Sequence, residues 1–273
     1  MRILFLGDVV GRSGRTAVCR ELPQLRRRYG ADFAIVNGEN AAGGFGITEA
    51  ICQQFLDAGA DVITTGNHVW DQREALVFID RQPRLLRPAN YPAGTPGRGC
   101  GLFETAGGAS VMVVNVMGRV FMDPLDCPFQ ALERALADSG LKAKADAIIV
   151  DMHAEATAEK QVMGHFADGR VTAIIGTHTH VPTADEHILP GGTAYITDVG
   201  MCGDYLSVIG LRKEEPLQRL QSKIPNARFV PALGSATICG VIVDVDDETG
   251  LATRIEPLRI GGALSHAEPD LLS

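Results

Sequence analysis

The fold is most constrained by short apolar runs that alternate with helix-like segments through the first two-thirds of the chain. The predicted strands are 2–7, 33–37, 61–65, 110–116, 146–151 and 172–176, followed later by 193–197, 236–245 and 252–260. The predicted helices are about 14–29, 48–58, 71–80, 128–139, 155–166 and 213–221. This β-α-β-α order predicts an α/β protein with a largely parallel, buried sheet.

The final third of the chain is richer in strands than in helices, with turn signals at 190–192 and 246–250. No linker-like stretch separates it from the rest, so we expect a second sheet that completes one sandwich. Residues 1–273 are therefore predicted to form a single domain. The Gly/Pro-rich segments 88–101 and 117–128 are expected to be surface loops.

Composition excludes several classes of function. A net charge of −8 does not favour binding to DNA or to an anionic membrane. The six cysteines are scattered without a C-x-x-C pair, which argues against a zinc ribbon or a redox motif. No apolar run reaches transmembrane length, and the start of the chain lacks a signal-peptide core, so we expect a cytoplasmic protein. Self-association is left open.

Polar side chains follow five of the predicted strands where each one ends. These residues are Asp8, Glu39 with Asn40, Asn67 with His68, His153, and His178 with His180. In open parallel sheets ligands bind at the carboxyl ends of strands, so these side chains are expected to converge on one edge of the sheet. A single such residue would be an ordinary turn or cap residue. Five sets, several with histidine, favour a metal site.

The types of donor constrain the metal. His178 and His180 lie two residues apart and would share one face if the strand continued, although His-x-His alone is weak evidence. Oxygen and imidazole donors without a thiolate suit iron or manganese, with zinc as an alternative. About seven candidate ligands are too many for one catalytic ion, and they suit two ions bridged by a carboxylate.

These motifs resemble those of the calcineurin-like metallophosphoesterases, and their order and spacing are most similar to the bacterial YmdB-like subfamily. The resemblance extends from residue 1 to about 210 and includes 197–201. Two positions depart from the general superfamily pattern. Asp8 lacks the histidine two residues later, and Glu39 stands where the bridging residue is usually Asp. Both departures resemble the YmdB-like variant, in which the Asn after the Glu, here Asn40, replaces the missing histidine.

The resemblance implies a calcineurin-like sandwich of two mixed β-sheets flanked by helices, in α/β/β/α layers. It also implies two metal ions, of which iron is the expected metal. One ion would be held by Asp8, Glu39, Asn40 and His180. The other would be held by Glu39, Asn67, His153 and His178. Asn40 has a turn role as a fair alternative. The implied activity is phosphodiesterase action on small nucleotides, with 2′,3′-cyclic nucleotides as the expected substrates.

In the mechanism expected from these residues, water activated between the ions attacks phosphorus. His68 follows the ligand Asn67 on the other side of the chain, and it would protonate the leaving alkoxide. A metal-binding regulatory protein with little turnover is the main alternative. Metal-dependent amide hydrolysis is less favoured, because its His pair usually lies at the first strand. Three residues each have two alternative roles. Arg119 either binds phosphate or is a solvated surface residue. Trp70 lines either the pocket or the core, and Asp198 either supports a ligand histidine or belongs to a turn.

Overall fold

The computed structural model of the chain describes residues 1–137, 139–224 and 227–269. Its strands are β1 (Arg2–Leu6), β2 (Asp8–Val9), β3 (Phe33–Asn37), β4 (Val62–Thr64), β5 (Cys100–Glu104), β6 (Ser110–Met117), β7 (Ala147–His153), β8 (Ala173–Thr177), β9 (His187–Ile188), β10 (Ala194–Ile196), β11 (Met201–Asp204), β12 (Ala236–Val245) and β13 (Ala252–Ile260). Its helices are α1 (Gly11–Tyr29), α2 (Glu49–Asp57), α3 (Ala75–Phe78), α4 (Pro128–Ala137), α5 (Thr157–Ala167) and α6 (Glu214–Ser222), with a 3₁₀ turn at Ile79–Arg81.

The strands form two mixed sheets. The first sheet has the order β2-β11-β12-β1-β3-β4, with β13 paired to β12, and the second has the order β5-β6-β7-β8-β10-β9. Strands β1, β3 and β4 run parallel in the first sheet, as do β6, β7, β8 and β10 in the second. Antiparallel strands complete both sheets, so the prediction of an α/β fold with mixed sheets is confirmed.

Alternation of side chains along β1 shows how the layers are built. Ile3 and Phe5 point into a core between the two sheets, together with residues of β6, β7 and β8. Leu4 and Leu6 point to the other face, into a core shared with α1 and α2. A third core lies between the outer face of the second sheet and helices α4 and α5. The molecule is therefore an α/β/β/α sandwich, as the resemblance implied.

The sequence prediction was wrong about how the final third is used. It does not form a sheet of its own, because β12 pairs antiparallel with β1 across the chain and β13 follows on β12. Strands β9 and β10 instead extend the second sheet beside β8. Both additions use strand edges that the N-terminal and central segments leave open. The local alternation of apolar residues cannot reveal which edge a distant strand will join.

Two element boundaries also differ from the prediction. The helix expected at 71–80 is limited to α3 at Ala75–Phe78 and a 3₁₀ turn. Its expected first turn is replaced by turns in which the side chain of Asp71 contacts His68 and the side chain of Gln72 donates to the carbonyl oxygen of Phe45. Strand β5 begins inside the segment 88–101 that was expected to be a loop, and it pairs antiparallel with β6 at the sheet edge. The other predicted strands and helices are present within a few residues.

Three sequence predictions concern the whole chain: its domain organisation, its cysteines and its lack of a membrane span. Residues of β1, β7 and β12 share the core between the sheets, as they would in one domain, but the single domain over 1–273 stays a prediction. All six cysteines are free thiols. No helix within the described ranges is both long and apolar enough to cross a membrane.

The core between the sheets gives the first testable prediction. Phe5 is fully buried there, so Phe5→Ala should lower the free energy of unfolding by about 3–5 kcal/mol, because it leaves a cavity between the sheets. Denaturant unfolding followed by circular dichroism measures this loss. The matched control is Phe121→Ala, because Phe121 is 90% exposed, and it should change stability by less than about 0.5 kcal/mol. Equal losses in both variants would contradict the assigned core.

Candidate metal centre

The polar strand ends meet in the gap between the two sheets, at the carboxyl ends of their parallel strands. Asp8 and Glu39 come from the first sheet, and His153 and His178 come from the second. Nε2 of His153 lies 2.6 Å from Oε2 of Glu39, and the backbone N–H of His178 donates to Asp8 Oδ2 over 3.1 Å. The prediction that these side chains converge on one edge of a single sheet was therefore wrong. The cluster joins two sheets, which brings donors together from opposite sides.

One group of candidate ligands surrounds Nε2 of His153. Besides Oε2 of Glu39, this nitrogen lies 3.1 Å from Oδ1 of Asn67 and 3.1 Å from Nδ1 of His178. These are the four residues that the resemblance assigned to one ion. Their ligand atoms all point at a common region.

The other ring nitrogen of His153 determines which tautomer is present. Nδ1 of His153 lies 2.9 Å from the hydroxyl oxygen of Thr177, and that hydroxyl donates its own proton to Asp151 over 2.6 Å. Thr177 can therefore only accept from His153, so the proton of the ring is on Nδ1. Nε2 is left with a lone pair, which faces Oε2 of Glu39 and Oδ1 of Asn67.

The same reasoning applies to His178 and His180. Nδ1 of His180 lies 2.8 Å from the carbonyl oxygen of Ile209, which can only accept, so Nε2 of His180 carries the lone pair. Nε2 of His178 lies 3.3 Å from Oε2 of Glu155, a contact that favours a proton on Nε2. The free lone pair of His178 is then on Nδ1, toward His153. Each candidate ligand histidine thus has a partner that turns its unprotonated nitrogen toward the centre.

A second group of donor atoms lies beside the first. Nε2 of His180 lies 3.8 Å from Oδ1 of Asp8 and 3.1 Å from the amide nitrogen of Asn40. Rotation of the Asn40 amide by 180° would place its oxygen at the same position. These residues, with Glu39, are the set that the resemblance assigned to the other ion.

The electrostatics of the cluster fit a bound cation. Oδ1 of Asp8 and Oε2 of Glu39 are buried and lack a hydrogen-bond donor among the described residues. Ligand atoms of Asp8, Glu39 and His153 lie within 4.8 Å of one another. Burial raises the pKa of Asp8 and of Glu39 to about 7, and it lowers the pKa of His153 to about 3. The lowered pKa values of His153 and His178 keep these two imidazoles neutral, and a metal ion would supply the missing positive charge.

Gly66 provides the space for this cluster. A Cβ atom at this position would lie 2.2 Å from Nε2 of His153 and 2.3 Å from Oε2 of Glu39. Because Gly66 has no side chain, the backbone approaches these two ligand atoms closely. The backbone that follows strand β4 therefore forms one wall of the candidate metal site.

The loop that carries His178 and His180 is fixed by a buried ion pair between Lys160 and Asp198. Strand β8 ends at Thr177, so the two histidines do not alternate along a strand as expected, and both have positive φ (95° and 66°). Thr179 lies between the two histidines, and its backbone N–H and its hydroxyl both donate to Oδ2 of Asp198. The same oxygen accepts from Nζ of the buried Lys160 over 2.8 Å. Asp198 thus contacts the loop between the histidines rather than either imidazole.

His68 faces a pocket next to the cluster and has its own carboxylate partner. Its backbone N–H donates to Oε1 of Glu39 over 2.7 Å, which ties its position to the candidate ligands. Its Nδ1 lies 2.9 Å from Oδ2 of Asp71. A proton on Nδ1 is held by that carboxylate, so Nε2 is the nitrogen available for proton exchange. This is the arrangement that a general acid or base requires.

Several residues of the site were missed by the sequence reasoning. Asp71 could have been found from its place only three residues after His68, at the start of the helix predicted at 71–80. Asp151 could have been found from its place two residues before His153 in the same strand. Glu155 and the carbonyl of Ile209 carry no signal in the sequence, because their roles depend on loop conformation.

Two of the residues with open roles lie away from the cluster. Arg119 is exposed, and the backbone N–H groups of Arg119 and Val120 donate to Glu159. Trp70 packs against the core beneath α1 and α2, with its ring 5.9 Å from that of Tyr91. The structure therefore favours a solvated Arg119 and a core Trp70.

Comparison with known proteins places this geometry in context. The chain matches the family model described as YmdB-like protein over residues 4–258. It is 48% identical to a 2′,3′-cyclic-nucleotide 2′-phosphodiesterase of Bacillus subtilis, over 95% of this chain and 97% of that protein. A hypothetical protein from Thermus thermophilus has a similar crystal structure, with a TM-score of 0.89, 44% identity, and coverage of 96% of this chain and 100% of the other. The structure of a novel phosphatase from Mycoplasma pneumoniae has a TM-score of 0.88 and 37% identity, with 100% of this chain and 96% of the other covered.

The space at Gly66 can be tested directly. Gly66→Ala should weaken metal binding by roughly 10–100-fold, because the added methyl group displaces the ligand atoms of His153 and Glu39. Calorimetric titration with Mn²⁺ measures the affinity, and circular dichroism checks that the variant is folded. Gly140→Ala is the matched control, since a Cβ there meets no atom within 4 Å. Unchanged affinity in Gly66→Ala would contradict the assignment of both ligands.

Proposed function

The chain belongs to the YmdB-like protein family, and we propose that it is a metal-dependent phosphodiesterase that hydrolyses 2′,3′-cyclic nucleotides. The observation that carries the proposal is the cluster of buried carboxylate oxygens and imidazole nitrogens, in which Asp8 and Glu39 each have one oxygen that lacks a hydrogen-bond donor among the described residues. The substrate class is taken from the Bacillus subtilis relative, whose name states that activity. The pocket beside the cluster, with a cavity of about 280 Å³, is consistent with a small substrate.

We propose that the centre would hold two metal ions, with Glu39 belonging to the ligand sets of both. Asp8, Asn40 and His180 would complete one site, and Asn67, His153 and His178 would complete the other. The oxygen and nitrogen donors suit iron, with manganese or zinc as alternatives. Bound ions would act as Lewis acids that make water nucleophilic near neutral pH and offset the charge on the phosphoryl group.

The remaining chemistry falls to residues of the chain. His68 donates a proton from Nε2 to the leaving ribose oxygen, so that a poor leaving group departs as an alcohol. Asp71 holds the ring of His68 in the required orientation through Nδ1, and Glu39 fixes its backbone. Lys160 and Asp198 position the loop of His178 and His180. A reducing, cytoplasmic environment is part of this proposal, and it is supported by the six free thiols.

The proposed function is tested by measuring bound metal and turnover in the same preparation. The metal-loaded protein should contain about two ions per chain and hydrolyse both 2′,3′-cyclic AMP and bis-p-nitrophenyl phosphate. Removal of metal with a chelator should abolish both activities, and addition of Mn²⁺ or Fe²⁺ should restore them. Metal binding without turnover of either substrate would instead favour a regulatory metal-binding protein. Absence of both binding and turnover would contradict the proposal.

The role of His68 depends on the leaving group. His68→Ala should lower kcat for 2′,3′-cyclic AMP by about 10²–10⁴-fold, because the ribose oxygen needs a proton as it leaves. The loss should be much smaller for bis-p-nitrophenyl phosphate, whose leaving group is stable as an anion. His165→Ala, at an exposed position of α5, is the matched control. The role of His68 is excluded if the variant keeps full activity on 2′,3′-cyclic AMP while its metal content is unchanged.

A further inference from the structure

The pocket beside the candidate metal centre is lined by two chemically different kinds of residue. Three of them are histidines, namely His68, His178 and His180. Three others are apolar, namely Phe45, Ile209 and Leu211. The mechanism uses the histidines and none of the apolar side chains, so the apolar side chains have no assigned role. Apolar surface of this kind suits a flat, weakly polar group of the substrate.

Phe45 is presented by a loop whose backbone is fixed. The residues around it, Gly43, Gly44 and Gly46, all have positive φ (65°, 93° and 76°), which only glycine adopts readily. The side-chain amide of Gln72 donates to the carbonyl oxygen of Phe45 over 2.8 Å. A Cβ at Gly46 would lie 2.9 Å from Cγ of Gln72, so the loop is closely packed against the segment that follows His68. The partly buried ring of Phe45 is therefore preorganised.

The ring of Phe45 lies directly beside the proposed proton donor. The ring centroids of Phe45 and His68 are 5.0 Å apart, with the planes at 73°, so the contact is edge to face. Of the other two apolar residues that line the pocket, Ile209 is 51% exposed and Leu211 is buried. A substrate whose leaving oxygen is next to His68 can therefore place the rest of its leaving group against Phe45.

We infer that Phe45 is a specificity-determining residue that stacks on the nucleobase of the substrate. This inference rests on the proposed function. In a 2′,3′-cyclic nucleotide the leaving oxygen belongs to the ribose that carries the base, so the base lies within reach of the aromatic ring. Stacking uses the face of the base, which adenine and uracil both offer, and it tolerates different bases. The site is then selective for nucleoside cyclic phosphates over aliphatic ones.

The test compares substrates with and without a base, using the metal-loaded full chain. The quantity measured is the ratio of kcat/KM for 2′,3′-cyclic AMP, and for 2′,3′-cyclic UMP, to that for glycerol 1,2-cyclic phosphate. Phe45→Ala and Phe45→Leu should each lower both ratios by about 10–100-fold through KM, because the stacking surface is lost. Phe45→Trp should keep the ratios near those of the unmodified protein. Phe121→Ala is the matched control for loss of an exposed ring.

Each outcome separates the inference from the proposed function. Unchanged ratios in Phe45→Ala and Phe45→Leu would overturn the inference. An equal loss on all three substrates would also overturn it, because Phe45 would then act through His68 or the loop. If the unmodified, metal-loaded protein hydrolyses none of the three, the proposed function fails and the inference fails with it. Selective loss in Phe45→Leu with recovery in Phe45→Trp supports the stacking role.

Discussion

The structure depends on one electrostatic constraint, which is the burial of two carboxylates in the gap between two sheets. Asp8 and Glu39 are fully buried, and each has an oxygen without a hydrogen-bond donor among the described residues. An unpaired charge in such a place is costly, so the pKa of both groups rises to about 7. The neighbouring His153 does not supply the missing charge, because burial keeps its ring neutral. The fold is thus built around a charge that a bound cation would supply.

The two sheets are arranged so that both could bind the same cation. Parallel strands of both sheets end at the same gap, and each sheet contributes candidate ligands from the carboxyl ends of its strands. The close contact of Glu39 with His153 crosses from one sheet to the other. A cation bound there would therefore connect the two sheets. The inter-sheet core around Phe5 sets the distance between the sheets, and Gly66 leaves room for the ligand atoms.

The sequence was enough to predict most of the strands and helices and the candidate ligands, because these depend on local pattern. Short apolar runs marked the strands, and the polar residues after them proved to lie close together. What it could not show depends on distant segments. The pairing of β1 with β12 joins residues more than 200 positions apart, and nothing in either strand specifies its partner. The carbonyl of Ile209 orients His180 through its backbone alone, so its residue type carries no signal.

The His178-Thr179-His180 loop shows why residue spacing is weaker evidence than structure. Alternation along a strand would have given two imidazoles on one face, but the strand ends at Thr177 and both histidines have positive φ. A conformation of this kind is unfavourable for residues with a side chain and persists only when its surroundings impose it. Here the buried pair of Lys160 and Asp198 binds Thr179 and imposes it. Lys160 is paired with Asp198 in this arrangement, and one oxygen of Asp8 and one of Glu39 still lack a hydrogen-bond donor among the described residues, so a cation is needed at the centre itself.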